Sequence, residues 1–465
     1  MPRLLCQFLL ATTFCLRAAA LFATSPPDAD NRPNIVVFLA DDLGWAECSV
    51  NGGRDVPMPN LDRLAAAGIT LSHAFVASPS CAPSRAALLT GLDPLRNGAM
   101  INHAHPHAKL KKWPAYFQEL GYQVVAIGKV AHYAQVQEYG FDQASHFKYH
   151  EDTCIEAAAD WLAKRKSTKP LCLLVGTNWP HVPWPKEPLG DPATTPLTTK
   201  MVDTPETRLA RAQYHAAVAN ADRDLGIVMD QATKSLGPDT LMLFTSDHGS
   251  QFPFGKWNLY DTGVRTPLVV SWPGKIAPRS TSTALVSWID LLPTLLAAAG
   301  GKPPADISGR SFLGVLEGKT KQHREQIFLT HSADGKMNQY PQRGVRTARY
   351  KLIRNLDPTA EHHTHVDKAE KKEHNYWDSW AAKAKTDPTA AKLVEKYHHR
   401  PAEEFYDLDN DPHEERNLID DAESQKTISE LRTTLTAWMK EQGDDGMPTE
   451  RKQTVNAPAK KAAAK

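Results

Sequence analysis

Ile35-Val36-Val37-Phe38-Leu39-Ala40-Asp41-Asp42 is the stretch on which the fold turns. Six consecutive apolar residues are too few to span a membrane and match a strand buried on both faces, as in parallel sheets. The two acids after them stand where open α/β sheets build their sites, beyond the carboxyl ends of strands. Three further runs repeat the pattern. Gln123-Val124-Val125-Ala126-Ile127 leads into Gly128-Lys129 and His132. Leu171-Cys172-Leu173-Leu174-Val175 leads to Asn178-Trp179-Pro180-His181, and Leu241-Met242-Leu243-Phe244-Thr245 leads to Asp247-His248-Gly249. A fifth strand is expected over residues 267–272. Helical patterns fill the gaps at 60–67, 151–166, 206–236 and 290–299, with Asn60 as a candidate N-cap. Strands alternating with helices predict an α/β fold: a large, mostly parallel sheet flanked by helices.

Beyond about residue 319 the rhythm changes. Short strand-like runs at 327–330, 343–346, 350–355 and 404–408, then an amphipathic helix at 427–440, predict a smaller C-terminal antiparallel sheet plus helix. Residues 361–400, rich in His, Lys and Ala, read as a surface insertion; His362-His363-Thr364-His365 within it could take up metal adventitiously and is assigned no function. The Ala/Lys-rich end lacks apolar periodicity and is expected to be disordered. At the other end, Arg3, the apolar stretch to Leu16 and the small residues Ala18-Ala19-Ala20 and Ala23 read as an export signal. A periplasmic, secreted or lysosome-like location is therefore expected. Stable membrane insertion is not, since no later segment is long and apolar enough.

With 41% hydrophobic and 23% charged residues, the 465-residue chain is not globally disordered. Its 54 basic and 53 acidic residues nearly cancel, which argues against a nucleic-acid partner but leaves room for a local basic pocket. Loss of the signal removes Cys6 and Cys15. The remaining Cys48, Cys81, Cys154 and Cys172 are too few for a disulfide scaffold, although Cys154 and Cys172 could pair.

The strand endings carry complementary chemistry. Asp41, Asp42 and Asp247 offer hard oxygen ligands suited to Ca²⁺, with Mg²⁺ or Mn²⁺ behind it. His248 is an atypical partner for calcium, so a hydrogen-bonding role behind the ligands is the alternative. Lys129, Lys256 and Arg85 could neutralise an anion held there. His132 and His181 titrate near neutrality and could move protons. Between the first two strands lies Ser80-Cys81-Ala82-Pro83-Ser84-Arg85, followed by Leu89-Thr90-Gly91. Pro83 and Gly91 bracket a short helix, which puts Cys81 at a helix N-terminus, where free N–H groups attract anions.

These residues together resemble a type I sulfatase of the alkaline phosphatase superfamily. The resemblance covers most of the chain from about residue 33 to 418. It includes Arg32-Pro33-Asn34-Ile35-Val36, Asp41-Asp42-Leu43-Gly44, Cys81-Ala82-Pro83-Ser84-Arg85, Thr245-Ser246-Asp247-His248-Gly249 and the late Tyr406-Asp407-Leu408. It implies that Cys81 is oxidised to Cα-formylglycine by a formylglycine-generating enzyme, and that Asp41, Asp42, Asp247 and His248 bind a metal with it. It implies that Arg85, Lys129, His181 and Lys256 hold the sulfo group, that His132 pairs with the formylglycine diol, and that His181 protonates the leaving group. The expected organisation is a signal peptide at 1–23, a catalytic sulfatase domain at 31–318, a smaller domain at 319–445 and a disordered tail at 451–465.

Two likenesses divide the substrate. Gly128-Lys129-Val130-Ala131-His132, with Lys and His three apart rather than two, resembles iduronate-2-sulfatases, as does Pro180-His181-Val182-Pro183. Asn258-Leu259-Tyr260 and residues 340–346 resemble heparan N-sulfatases (sulfamidases), although Lys256 stands where those use a different basic residue. The expected substrate is a sulfated saccharide, N-sulfoglucosamine first and an O-sulfated uronate second. A phosphonate or phosphodiester hydrolase and an unmodified carbohydrate-binding protein are the competing readings. Arg343 or Arg346 could meet a second sugar anion, but the weakness of isolated surface charges favours structural roles.

Overall fold

The computed structural model describes residues 32–147, 153–368 and 376–456; the expected export signal at 1–23 lies outside them. Eight strands form the main sheet in the order β5 (Gln143–Ser145), β4 (Gln123–Gly128), β6 (Leu171–Gly176), β1 (Ile35–Ala40), β7 (Leu241–Ser246), β8 (Leu268–Ser271), β2 (Ile69–Leu71) and β9 (Ser280–Ser282). The run from β5 to β7 is parallel throughout, and β8 turns antiparallel to β7. Every residue of β1, β6 and β7 is buried, which is why these strands read as unbroken apolar runs rather than alternating ones.

The register of the central strands sets the position of the reactive endings. Leu39 of β1 pairs with Gly176 of β6, Gly176 with Gly128 of β4, and Ala40 of β1 with Ser246 of β7. The carboxyl ends of four adjacent strands are thus level, and the residues after each strand emerge at the same rim. The rim is tight between β4 and β6. A Cβ on Gly128 would lie 2.1 Å from the Gly176 carbonyl oxygen, and Gly128 has φ +81°, so only glycine fits.

Helices cover the sheet as the patterns predict, with one instructive difference. The helix Pro59–Ala66 is capped at Met58, not Asn60. Asn60 lies within it and donates its backbone and side-chain N–H groups to Asp222 on the helix Pro205–Leu236. A tertiary acceptor has taken the role that local propensity suggested for a cap. The helix Cys81–Thr90 is buried along its whole length and ends at Gly91, which adopts φ +66°.

Two short strands, β3 (Ala74–Phe75) and β10 (Val286–Ser287), pair in parallel as a sheet of their own, and the C-terminal sheet is antiparallel, β11 (Gln326–Asp334), β12 (Asn338–Thr347), β13 (Tyr350–Asn355) and β14 (Glu403–Asp407). The helix Gln425–Gln442 packs on it through Ile428, Leu431, Leu435 and Trp438, and Trp438 stacks on Phe328 at 4.6 Å between centroids. Arg343 and Arg346 are buried and structural. Arg343 binds Asp444 and Glu450, and Arg346 binds Asp261. Glu450 belongs to a helix, Met447–Asn456, that runs into the stretch expected to be disordered; residues 457–465 lie outside those described. The described residues of 361–400 hold three short helices, His365–Lys368, Tyr376–Lys383 and Pro388–His398, and because Tyr376, Trp377, Trp380 and Tyr397 are buried in the main core the segment is packed structure rather than the expected surface insertion.

Cys154 and Cys172 are separate buried thiols, and Cys172 Sγ accepts the Trp113 indole N–H at 3.3 Å. Among the described residues no helix is long and apolar enough to cross a membrane. Strand β11 reaches the main unit through Thr330 N–H to the Ala77 carbonyl (2.9 Å), and Asn102 N–H reaches the Ala333 carbonyl (2.9 Å). Those two bonds carry Asp334, the last residue of β11, to the rim of the main sheet.

Candidate active site

At that rim the structure assembles Asp41 and Asp42 after β1, Lys129 and His132 after β4, His181 after β6, and Asp247 and His248 after β7. Oxygens of Asp41, Asp42 and Asp247 all lie within 4.8 Å of one another and are buried. Asp42 adopts φ +67°, a left-handed conformation that costs about 1 kcal/mol for a non-glycine residue. The turn aims its N–H at Asp247 Oδ1, 3.1 Å away. Burial pushes the Asp42 carboxyl up despite Lys256, and the charges of Asp41 and Asp247 push the same way. Asp41 behaves oppositely: burial works against its charge, but Lys129, His181 and Arg85 hold it well below the usual carboxylate range.

Cys81 occupies the first position of its helix, within this cluster. Its Sγ is 3.3 Å from His248 Nε2 and 3.9 Å from Asp41 Oδ1. His248 Nδ1–H donates to the Gly249 carbonyl at 3.0 Å, which turns Nε2 toward the thiol. Burial pushes the Cys81 thiol far up, more than Lys256 and Lys129 can offset, so it stands protonated. The helix start is pinned from outside: Ala82 N–H donates to Asn102 Oδ1 at 3.0 Å, and Asn102 Nδ2 donates to Asp334 at 3.0 Å.

The basic residues divide into two kinds. Arg85 is fully buried, one turn into the helix. Its Nε donates to Asp247 Oδ2 (2.9 Å), one terminal nitrogen reaches Asp41 Oδ1 (3.3 Å), and the other bonds the Lys129 carbonyl. It faces the carboxylates and fixes their positions. Lys256 Nζ lies 2.9 and 3.0 Å from the two Asp42 oxygens, and Lys129 Nζ pairs with Asp41. Desolvation opposes the Lys129 charge, but Asp41 outweighs it and raises the ammonium above its ordinary range. His181 donates Nδ1–H to the Val182 carbonyl at 2.7 Å and holds Nε2 3.8 Å from Asp42 Oδ2.

His132 stands apart from the carboxylates and belongs to a chain that the sequence did not suggest. His103 is half-exposed and has φ +70°; it bridges His132 and the buried Asp334. Asp334 also accepts the Trp257 indole N–H (3.0 Å) and lies 3.7 Å from His365 Nε2. Burial pushes the Asp334 carboxyl up, but the nearby His103 and His365 rings hold it well below its ordinary range. His103, Asn102 and Asp334 carry no motif. Asp334 is 202 residues from His132, and a bulged strand of the second sheet delivers it.

The oxygen-rich set of Asp41, Asp42 and Asp247 fits a hard divalent cation, and Cys81, His181 and His248 each lie within 4.8 Å of members of that set. An anion reaching the same rim would meet Lys129 and Lys256.

Comparisons with known proteins bear on the family and the fold. A model of the sulfatase family matches residues 33–301, and a model described as "N-sulphoglucosamine sulphohydrolase, C-terminal" matches 248–387. The chain is 31% identical to an ulvan-active sulfatase of Formosa agariphila, over 89% of this chain and 81% of that protein. It is 29% identical to the N-sulphoglucosamine sulphohydrolase of Homo sapiens, over 89% of this chain and 91% of that protein. Among solved structures, a protein in complex with its substrate D-glucosamine-2-N,6-O-disulfate superposes with a TM-score of 0.68 at 22% identity, covering 89% of this chain and 99% of that one. A phosphonate monoester hydrolase from Silicibacter pomeroyi shares the fold equally well, with a TM-score of 0.68 at 17% identity, covering 90% of this chain and 97% of that one.

Proposed function

The chain belongs to the sulfatase family and is a sulfate ester hydrolase, and from that premise we propose that it desulfates a saccharide, with N-sulfoglucosamine as the preferred unit and residue 81 as the nucleophile. The observation that carries the chemistry is the seat of Cys81, at a helix start between the Asp41 carboxylate and His248, with Lys129 and Lys256 in the same cluster. The preference for N-sulfoglucosamine is supported by the match over 248–387 and by the human relative, nearly all of whose length the chain covers.

Asp41, Asp42, Asp247 and His248 would hold the cation, Ca²⁺ before Mg²⁺ or Mn²⁺ because most of the donors are carboxylate oxygens. With Cys81 converted to formylglycine, cation and hydrated aldehyde would supply an ionised hydroxyl to attack sulfur and a second hydroxyl through which the residue is regenerated. The chain's own groups do the rest. Lys129 and Lys256 offset the charge that spreads over the sulfo oxygens in an in-line displacement. Arg85 keeps Asp41 and Asp247 in place. His181, once protonated, delivers a proton from Nε2 to the departing nitrogen or oxygen. His132 takes the proton of the second hydroxyl.

An O-sulfatase is the second reading, favoured by the three-residue spacing of Lys129 and His132 and by the ulvan-active relative. One experiment separates the readings: sulfate release from defined N-sulfated, 2-O-sulfated and 6-O-sulfated saccharides, with a phosphonate monoester run in parallel and the aldehyde at residue 81 quantified in the same preparation. Faster release from N-sulfoglucosamine supports the proposal. Fully converted protein that prefers an O-sulfate or the phosphonate overturns it.

A further inference from the structure

We propose a second metal site, separate from the Cys81 cluster, in which Glu361, His363 and His398 bind a zinc-class divalent ion. The candidate ligand atoms of these three side chains lie within 4.8 Å of one another. His363 Nε2 is 3.4 Å from Glu361 Oε2, and His398 Nδ1 is 3.4 Å from Glu361 Oε1. Bonds of about 2.0–2.2 Å around a tetrahedral ion set its ligands roughly 3.3–3.6 Å apart, so both separations already match a coordination edge. Two imidazoles and one carboxylate select a borderline-soft ion over calcium or magnesium.

The support behind the ligands strengthens the assignment. His363 Nδ1 lies 2.5 Å from Asp367 Oδ2, and that carboxylate is almost fully buried. Asp367 is itself held by the Thr364 N–H (2.7 Å) and the Tyr397 hydroxyl (2.8 Å). The Nδ1 side of His363 is therefore fixed on Asp367, which turns Nε2 toward Glu361. A carboxylate behind a histidine is the usual way a metal ligand's tautomer and direction are set. His398, the last residue of the helix Pro388–His398, adds the third donor; its Nδ1 also lies 3.0 Å from the His362 carbonyl oxygen, a hydrogen bond that ion binding would replace. Glu361 is half-exposed and both histidines retain some exposure, so an ion can enter and water can complete its shell.

The ion would act as a clip. It would join the 361–363 segment to the end of the helix Pro388–His398, and His365, two residues on, stacks on Trp257 and faces Asp334 beside the candidate active site. The ion would thus steady a segment that reaches Asp334 and Trp257, without sharing a ligand with the main site.

The test keeps the main cluster saturated with Ca²⁺ and titrates the full chain with Co²⁺, a coloured substitute for Zn²⁺. One equivalent should bind with visible ligand-field absorption, and Zn²⁺ should displace it and raise the Tm. His363→Ala should abolish the absorption, and the surface variant Glu361→Gln should weaken Co²⁺ binding at least tenfold. Cys81→Ala, which removes the thiol of the main cluster, should leave the absorption unchanged. No uptake by the wild type, wild-type uptake by both site variants, or loss of the band in Cys81→Ala would each overturn the proposal.

Discussion

His132 Nε2 lies 2.7 Å from His103 Nδ1. His103 Nε2 faces the Asp334 carboxylate at 3.3 Å, so its proton sits there and its Nδ1 is an acceptor. His132 must then donate from Nε2, which leaves its Nδ1 as the basic nitrogen. That atom is buried and makes no hydrogen bond among the described residues. Burial, with His103 and Lys129 adding to it, also pushes the His132 imidazolium well below its ordinary range, so the ring is neutral and able to accept a proton.

Removing His103 should therefore impair turnover more than binding. For His103→Ala a fall in kcat of roughly 10- to 1000-fold is expected, with little change in KM, because the tautomer of a general base is lost. His103→Gln can still accept from one neighbour and donate to the other, and should retain more activity. Initial rates on a defined sulfated saccharide decide it; a wild-type kcat in His103→Ala would refute the relay.

Cys81→Ala should have no measurable turnover, and Cys81→Ser should release no more than about one equivalent of the desulfated product, since an ordinary alcohol has no second hydroxyl with which to expel sulfate. Product counted against enzyme in a quenched time course is the check. Sustained turnover by either variant would remove residue 81 from the chemistry.

Arg85→Lys should lower both stability and cation affinity. A lysine cannot reproduce the fork that joins Asp247, Asp41 and the Lys129 carbonyl, and a loss of about 2 kcal/mol or more is expected for weakening this buried network. Urea unfolding and Ca²⁺ calorimetry measure the two effects. A variant that unfolds like wild type and binds Ca²⁺ equally well would show that Arg85 does not organise the carboxylates.

Two groups outside the site predict the acid limb of stability. Burial depresses His331 from 6.5 to about 4, so the fold keeps it neutral while the unfolded chain takes up a proton. Its contribution is complete above about pH 6.5 and is lost as pH falls toward 4, roughly 3 kcal/mol in all. Burial opposes the charge of Asp290, but hydrogen bonds and charges from Arg324 and His323 outweigh it and hold the carboxyl at about 2. Its stabilisation is present above the ordinary carboxylate range and disappears as pH falls from about 4 to 2. The stability advantage of wild type over His331→Gln should shrink between pH 7 and 4.5, and that over Asp290→Asn only below pH 4. Advantages that stay constant with pH would contradict both assignments.

Much of this site was legible along the chain because its parts are local. An unbroken apolar run says that both faces of a strand are covered, and its end says where a side chain leaves the sheet. Pro83 and Gly91 bracket the helix that starts at Cys81. The role expected for Asn60 illustrates the opposite case: the residue type suits a cap, yet Asp222, from a distant helix, captures its donors. Arg343 and Arg346 were ambiguous for the same reason, since only the packed C-terminal unit reveals Asp444, Glu450 and Asp261 as their partners.

The chain's own order of residues determined the α/β architecture, the reactive strand endings and the family likeness, because periodicity, caps and short motifs act over a few residues at a time. Only the tertiary structure decided that four strand ends are level, that Arg85 faces carboxylates, and that Asp334 and His103 stand behind His132. Those relations are contacts between segments far apart in the chain. They depend on register and packing between sheets, which no local pattern of hydrophobicity encodes.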